Sequence, residues 1–192
     1  MVRSKRSGVA ITAPDEIQTE RMLLRKPRAT DAVLMFNAYA QDQAVTRFLM
    51  WRPHGHVTES RDVIDRFLAK WEEGKEFCWF LFTNQTDEMI GSIAARVEDN
   101  GFNLGFLLAR PHWGHGYMPE AIGAVVHWAF AQPWVSRVSA ACDMENHASA
   151  RALEKAGFAR EGTLQRFSIH PNISSAPRDC FAYAITKPTG RA

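Results

Sequence analysis

The sequence predicts an α+β fold around one twisted, largely antiparallel sheet. Three observations carry this expectation. Three apolar, strand-like runs, FCWFLF at 77–82, MIGSIAARV at 89–97 and FNLGFLLA at 102–109, follow one another across the turn-rich connections TNQTDE and EDNG, the pattern of an antiparallel meander. The meander then feeds an alternation of helical and strand-like patterns, so the element order is mixed. The chain has 192 residues, 46% hydrophobic and 23% charged. That is ordinary globular composition, and a chain of this length buries about 70% of its unfolded surface, enough for one core without disulfides.

Residues 1–18 are polar, contain Gly8 and Pro14 and show no sustained period, so they are expected to form a flexible leader before a single domain at 19–188. The apolar run Met22–Leu24, stopped by Pro27, reads as a first strand. Thr30 or Asp31 can cap a short helix over DAVLMFNAYA. RFLMWRPHGH is irregular because Pro53 and Gly55 break any regular element. Thr58 with Glu59 opens a helix to about Glu73, whose Val63, Ile64, Phe67, Leu68 and Trp71 recur at helical spacing, and Gly74 ends it. Gly105 inside the third run of the meander points to a bulge or a close backbone approach.

After Pro111 comes the loop HWGHGYM, and Pro119 stands where a helix would start, with Ile122, Val125, Val126, Ala129 and Phe130 on one face. RVSAAC reads as a strand. Asn146 can cap the helix HASARALEKA, which Gly157 stops. REGTLQRFSI and DCFAYAIT complete the set as two strands around a Pro-containing loop.

The net charge of +2 is local: residues 1–30 carry seven Lys or Arg against three Asp or Glu, and the remainder carries 16 against 18. A slightly acidic body argues against nucleic acid as a partner. Cys78, Cys142 and Cys180 form no CxxC pair, which excludes a disulfide framework or zinc ribbon and fits a reducing cytoplasm. No apolar run follows the basic start, and no charge-free stretch is long enough to span a bilayer, so neither secretion nor a membrane partner is expected. His112 and His115 lack any companion Cys/His cluster or HExxH, so no metal is expected.

The loop at 113–118 joins a strand to a helix and contains two glycines, so its free N–H groups lie at the positive end of a helix dipole, an arrangement that binds phosphate. It is not a P-loop, because Tyr117 and Met118 stand where Lys and Ser or Thr are required. It is not a dinucleotide fingerprint either, because Pro119 replaces the third glycine. On these residues alone, a tight turn without a ligand stands beside the phosphate reading.

WGHGYMPEA at 113–121, followed by NHASARALEKAGF at 146–158 and preceded by TERMLLR at 19–25, resembles the motifs of the GNAT N-acetyltransferase superfamily, in particular its RimJ/RimL-like branch. The resemblance runs to RDCFAYAI at 178–185. It implies a central mixed sheet splayed between the fourth and fifth strands, helices on both faces, and acetyl-CoA as cosubstrate. By the same resemblance, Phe106, Leu107 and Leu108 would pair their backbone with the pantetheine amides beside a bulge at Gly105. The N–H groups of Trp113, Gly114, His115, Gly116, Tyr117 and Met118 would wrap the pyrophosphate. His115 stands where many relatives carry Lys or Arg and would reach the phosphates. Asn146 and Ser149, in an NxxSxR pattern with Arg151, would approach the pantetheine arm and thiol. Met118 and Pro119 depart from the small residue and Thr usual there and should tighten the loop. Many relatives are dimers, so a homodimer is compatible, although no residue here specifies an interface.

The tyrosine that protonates the leaving thiolate in many relatives is Leu153 here, which leaves Ser149 as the candidate acid. A thiol with a reference pKa of about 8.5 needs such help only in part, so Ser149→Ala should slow turnover without abolishing it. The Glu that many relatives carry on the fourth strand is Asn103, which cannot accept a proton; Glu161, Asp179 and His170 remain as alternatives. A missing base favours an α-amine acceptor. At pH 7 an α-amine is roughly 10–20% neutral, whereas a Lys amine is neutral on the order of 0.04% of the time.

The acceptor side is expected from RFLMWRPHGH, through Arg47, Trp51 and His54, and from SIHPNISSAPRD, through Arg178. The expected activity is therefore acetyl transfer to a primary amine of a protein N-terminus or small amino compound. A small-molecule acetyltransferase for an amino acid, polyamine or antibiotic amine, and a non-catalytic acyl-CoA-binding protein, are the alternatives.

Overall fold

The run FCWFLF is apolar at every position, which fits a strand covered on both faces rather than one with a wet side. In the computed structural model, which describes residues 11–187, every residue of this strand (β3, Glu76–Thr83) is buried. Phe77, Trp79 and Leu81 point into one core with Met118, Ile122, Val125 and Val126 of the helix Tyr117–Ala131 (α4). Cys78, Phe80 and Phe82 point into a second core with Met35 of α1 (Ala32–Met35), Val45 of α2 (Gln43–Thr46) and Ile64 of α3 (Val57–Glu72). The sheet thus lies between two helical layers. The first core is rich in aromatic rings, with Phe77, Trp79 and Phe102 each in ring contact with Trp128. Phe77, Trp79 and Phe102 are fully buried, and each such ring stabilises the fold by about 1.5–3 kcal/mol.

The remaining strands are β1 (Glu16–Gln18), β2 (Met22–Arg25), β4 (Met89–Glu98), β5 (Gly101–Leu108), β6 (Arg137–Asp143), β7 (Ala159–Ser168) and β8 (Arg178–Thr186), with α5 (His147–Lys155) between β6 and β7. They form one sheet in the order β1-β2-β3-β4-β5-β6-β8-β7. Every pairing is antiparallel except β5 with β6. This is the expected mixed α+β architecture, including the meander β3-β4-β5.

The parallel pairing is short. β5 pairs with β6 from Gly101↔Arg137 to Leu104↔Ala140 and no further, whereas its other edge stays paired to β4 as far as Leu108↔Gly91. β6 meanwhile continues beside β8 to Asp143↔Cys180. Two strands held by different neighbours therefore part company after Leu104, and a gap opens between them. The expected splay is present, but Gly105 is not a bulge: it pairs with Ala94 in unbroken register.

Three local expectations change. Of the expected leader, residues 11–18 are part of the fold: Glu16–Gln18 pairs with Leu23–Arg25, Ile11 packs on the first core, and the Trp79 indole donates to the Pro14 carbonyl at 2.9 Å. Residues 1–10, with the basic cluster Arg3, Lys5 and Arg6, lie outside the described residues, as do 188–192. The segment DAVLMFNAYA is not one helix but a 3-10 turn, α1 and a π turn over Phe36–Ala40. α2 follows it, capped by Asp42, whose carboxylate accepts from the amide of Ala44 at 2.8 Å. Finally, α4 begins at Tyr117, two residues before Pro119. Proline is tolerated there because the first four N–H groups of a helix have no intrahelical partner. Among the described residues no helix is long and apolar enough to cross a membrane.

Candidate active site

The gap between β5 and β6 is closed at one end by the loop into α4. A 3-10 turn at Arg110–His112, set by Pro111, turns the chain away from β5. The Trp113 indole then folds back and donates to the Leu108 carbonyl at 2.6 Å. Gly114 and Gly116 adopt left-handed conformations, with φ of 81° and 79°. A side chain at either position would be strained by about 1–2 kcal/mol. Gly116 is the N-cap of α4, so the free amides of that helix open beside the gap.

The resulting cleft holds about 380 Å³. Phe106, Leu107 and Leu108 form one wall, and Trp113, Gly114, Gly116, Tyr117 and Met118 close one end. Asn146, Ser149, Arg151 and Lys155 of α5 and its cap face them, and Ala44, Val45, Phe48 and Leu49 complete the enclosure. The chain thus brings together residues of three motifs far apart in sequence. The Asn146 side chain accepts from the Ser149 amide at 3.2 Å, which makes it the helix cap and places the Ser149 residue in the first turn of α5.

His115 does not line the cleft. Its carbonyl accepts from Nη1 of Arg21 at 2.8 Å, and Arg21 does not line the cleft either. Nor do the acceptor-side candidates line it. His54 is 7% exposed and its Nδ1 lies 2.8 Å from Ser60 Oγ. Burial lowers its pKa, and the ring packs beside Trp51. Trp51 is half-buried against that same core. Arg47 is exposed, lies over the Phe48 ring and is 3.8 Å from Glu145. Arg178 approaches the cleft only through Glu145, at 2.8 Å. The two segments meet: the Asn172 amide donates to the carbonyls of Thr46 and Trp51, each at 2.7 Å.

Two features of the cleft were not anticipated. The α2 wall had a readable signal in the capping Asp42, obscured by the Pro and Gly that follow. Among the described residues Glu145 is the only carboxylate lining the cleft, and only the fold shows that the residue before the α5 cap faces it. None of the alternatives does. Glu161 is ion-paired with Arg137, Asp179 accepts from the Arg166 amide at 2.7 Å, and His170 is buried 3.6 Å from Asp143. Asn103 donates to Ser139 Oγ at 3.0 Å and stitches β5 to β6, so its strand carries no base. Leu153 is fully buried.

Beneath Glu145 lies a buried ionic anchor. Asp143 accepts from Arg178 Nε at 2.6 Å and from the Glu145 amide at 2.9 Å. Burial alone would raise its pKa, but the hydrogen bonds from Arg178 and the Glu145 amide, with the charges of Arg178 and His170, hold it below the ordinary carboxylate value. Glu120 is likewise held low: burial is outweighed by hydrogen bonds from Thr19 and Arg21 and the Arg21 charge. Both groups therefore stabilise the fold above the unfolded carboxylate range, about pH 4, and lose that contribution as the pH falls through their depressed folded-state values. Urea midpoints are expected to hold from pH 7 to about 5 and to fall below about 4, less steeply in Asp143→Asn, where one of the two titrating groups is absent.

The three cysteines are free and buried. Burial pushes the Cys142 thiol up to about 12 and the Cys180 thiol to about 11, and Cys78 also lies well above its ordinary value. None of them is a thiolate at neutral pH. Among the described residues no group of three or more His, Cys, Asp or Glu could hold a metal ion.

The chain matches a family model described as an acetyltransferase (GNAT) domain over residues 21–159. It is 29% identical to the uncharacterized N-acetyltransferase YoaA of Bacillus subtilis (strain 168) over 90% of this chain and 97% of the relative. It is 30% identical to the uncharacterized N-acetyltransferase p20 of Bacillus licheniformis over 80% of this chain and 87% of the relative. Its fold is shared with RimL, a ribosomal L7/L12 α-N-protein acetyltransferase solved in complex with coenzyme A, with a TM-score of 0.80 at 18% identity over 89% of this chain and 97% of RimL. A freed strand edge beside a glycine loop at a helix N-terminus, and the match across two of its motifs, lead to one assignment: the chain belongs to the GNAT family and is an N-acetyltransferase.

Proposed function

We propose that the protein transfers the acetyl group of acetyl-CoA to a primary α-amino group, of a protein N-terminus or a small amino compound, by direct attack in a ternary complex. One observation carries the reading: the β5 edge at residues 106–108, without a strand partner among the described residues, lies in the same cleft as the left-handed glycine loop and the α5 cap. The free backbone groups of β5 suit the amides of a pantetheine arm. The α4 N-terminus suits a diphosphate. Arg151 and Lys155 add positive charge along the opposite wall.

Acetyl-CoA, when bound, supplies the acyl group on a thioester. The amine lone pair forms the C–N bond as the C–S bond breaks, and the amine's proton leaves while the sulfur gains one. Ser149 donates a hydrogen bond toward that sulfur. With all three thiols buried and protonated, an acyl-enzyme on cysteine is not expected, which favours direct attack. Glu145 is already engaged in an ion pair with Arg178 at 2.8 Å, so no unengaged carboxylate lines the cleft among the described residues. An acceptor already partly neutral at pH 7 therefore suits the site. RimL, described as an α-N-protein acetyltransferase, acts on such an amine.

The test is incubation with acetyl-CoA and matched lysine peptides blocked at the α- or the ε-amine, together with a panel of small amines, read by mass spectrometry. Acetylation of free α-amines is expected. Modification of the ε-amine alone would remove the acceptor assignment. Coenzyme A binding without thiol release from any amine would replace it with the non-catalytic reading.

A further inference from the structure

We infer that Arg21 is a positioning residue for the cofactor's diphosphate, acting from outside the cleft to aim the Gly116 amide into it. The inference rests on the acetyl-CoA reading above. Arg21 sits in the turn between β1 and β2 and does not line the cleft. Its Nη1 donates to the His115 carbonyl at 2.8 Å. Among the described residues no peptide bond is cis. In a trans peptide the C=O and the following N–H point in opposite directions. Holding the His115 carbonyl outward therefore turns the Gly116 N–H the other way, and Gly116 is a lining residue.

The guanidinium is itself fixed. Its Nε donates to Glu120 Oε2 at 2.6 Å, the Arg21 backbone N–H donates to Oε1 of the same carboxylate at 3.0 Å, and the group lies 4.6 Å from the centre of the Tyr117 ring. These contacts have a second consequence. Glu120 lies in the first turn of α4, where a bare carboxylate would oppose a phosphate at the same helix end. Arg21 neutralises it. Removing Arg21 therefore frees the His115–Gly116 peptide and uncovers a negative charge beside the diphosphate at the same time.

The discriminating pair of donors is acetyl-CoA and S-acetyl-pantetheine, which share the thioester and the pantetheine arm but differ in the phosphates. For Arg21→Ala, the KM for acetyl-CoA is expected to rise about tenfold or more, the loss of a charge-assisted hydrogen bond and its charge compensation. kcat/KM with S-acetyl-pantetheine should change less than about twofold. Arg21→Lys, which retains the charge against Glu120 but not the fork, should fall between and serves as the test if the alanine variant does not fold. Equal losses with both donors in the folded variant would make Arg21 a purely structural residue and overturn the inference. If the wild-type protein neither binds coenzyme A by calorimetry nor releases thiol, the acetyl-CoA reading fails instead.

Discussion

Asp143→Ala is expected to destabilise the protein by about 3 kcal/mol, because it leaves the Arg178 guanidinium beside a vacated, low-dielectric site. The Asp143 side chain is fully buried and the Arg178 side chain is 23% exposed, so partial hydration of the arginine keeps the loss at the lower end of what a broken buried pair costs. The Glu145 amide loses its acceptor in the same step, at the residue that leads into the Asn146 cap. The damage should therefore reach the cleft as well as the stability. In urea denaturation the midpoint should fall, with a drop in melting temperature on the order of 6–12 °C for a chain of this size. The double variant Asp143→Ala, Arg178→Leu should recover part of the loss, since no guanidinium then faces the vacated site. Glu72→Ala is the contrast: that carboxylate, 74% exposed and paired with Lys26, should cost no more than about 0.5 kcal/mol. An Asp143 variant as mild as the Glu72 variant would show that the anchor contributes no more than a surface pair.

Gly101→Ala should be comparably severe for a different reason. A Cβ at this position would lie 1.6 Å from the Arg137 carbonyl oxygen. Gly101 and Arg137 are the first partners of the parallel β5–β6 pairing, which extends over only four residue pairs. The two strands must separate to admit the methyl group, and the obstructing atoms are backbone, so no rotamer relieves the clash. About 3 kcal/mol or more is expected, at the upper end of overpacking costs. Because the cleft opens where this pairing stops, amide exchange should quicken at Phe102–Leu104 and Val138–Ala140 before it does so elsewhere in the sheet. Gly162→Ala offers the matched control, since its Cβ would meet nothing within 4 Å, and should change stability by no more than about 0.5 kcal/mol.

The elements most legible in the sequence were those whose period is dictated by their own burial. FCWFLF read as a strand from its apolar run ending at turn residues, and the apolar positions of α3 and α4 repeat at helical spacing. The glycine loop was legible because Gly114 and Gly116 adopt a backbone conformation that other residues rarely take. The acceptor side was not legible. RFLMWRPHGH and SIHPNISSAPRD were recognisable as irregular, and they do meet through Asn172, but which side chain faces the cleft depends on the packing between them. His54 turned inward to Ser60, and Phe48 and Leu49 took the wall.

By itself, then, the sequence determined a mixed α+β chain, a meander, a glycine turn at the start of α4 and a capped helix at Asn146, since each depends on local period, capping or backbone freedom. Tertiary structure alone decided that β5 and β6 separate after Leu104, that Arg21 braces the loop from behind, and that Glu145 rather than His170 or Glu161 reaches the cleft. These depend on strand pairing and on contacts between residues as far apart as Arg21 and Glu120. Which distant side chains converge is fixed by the sum of all the packing, and no short window of sequence contains it.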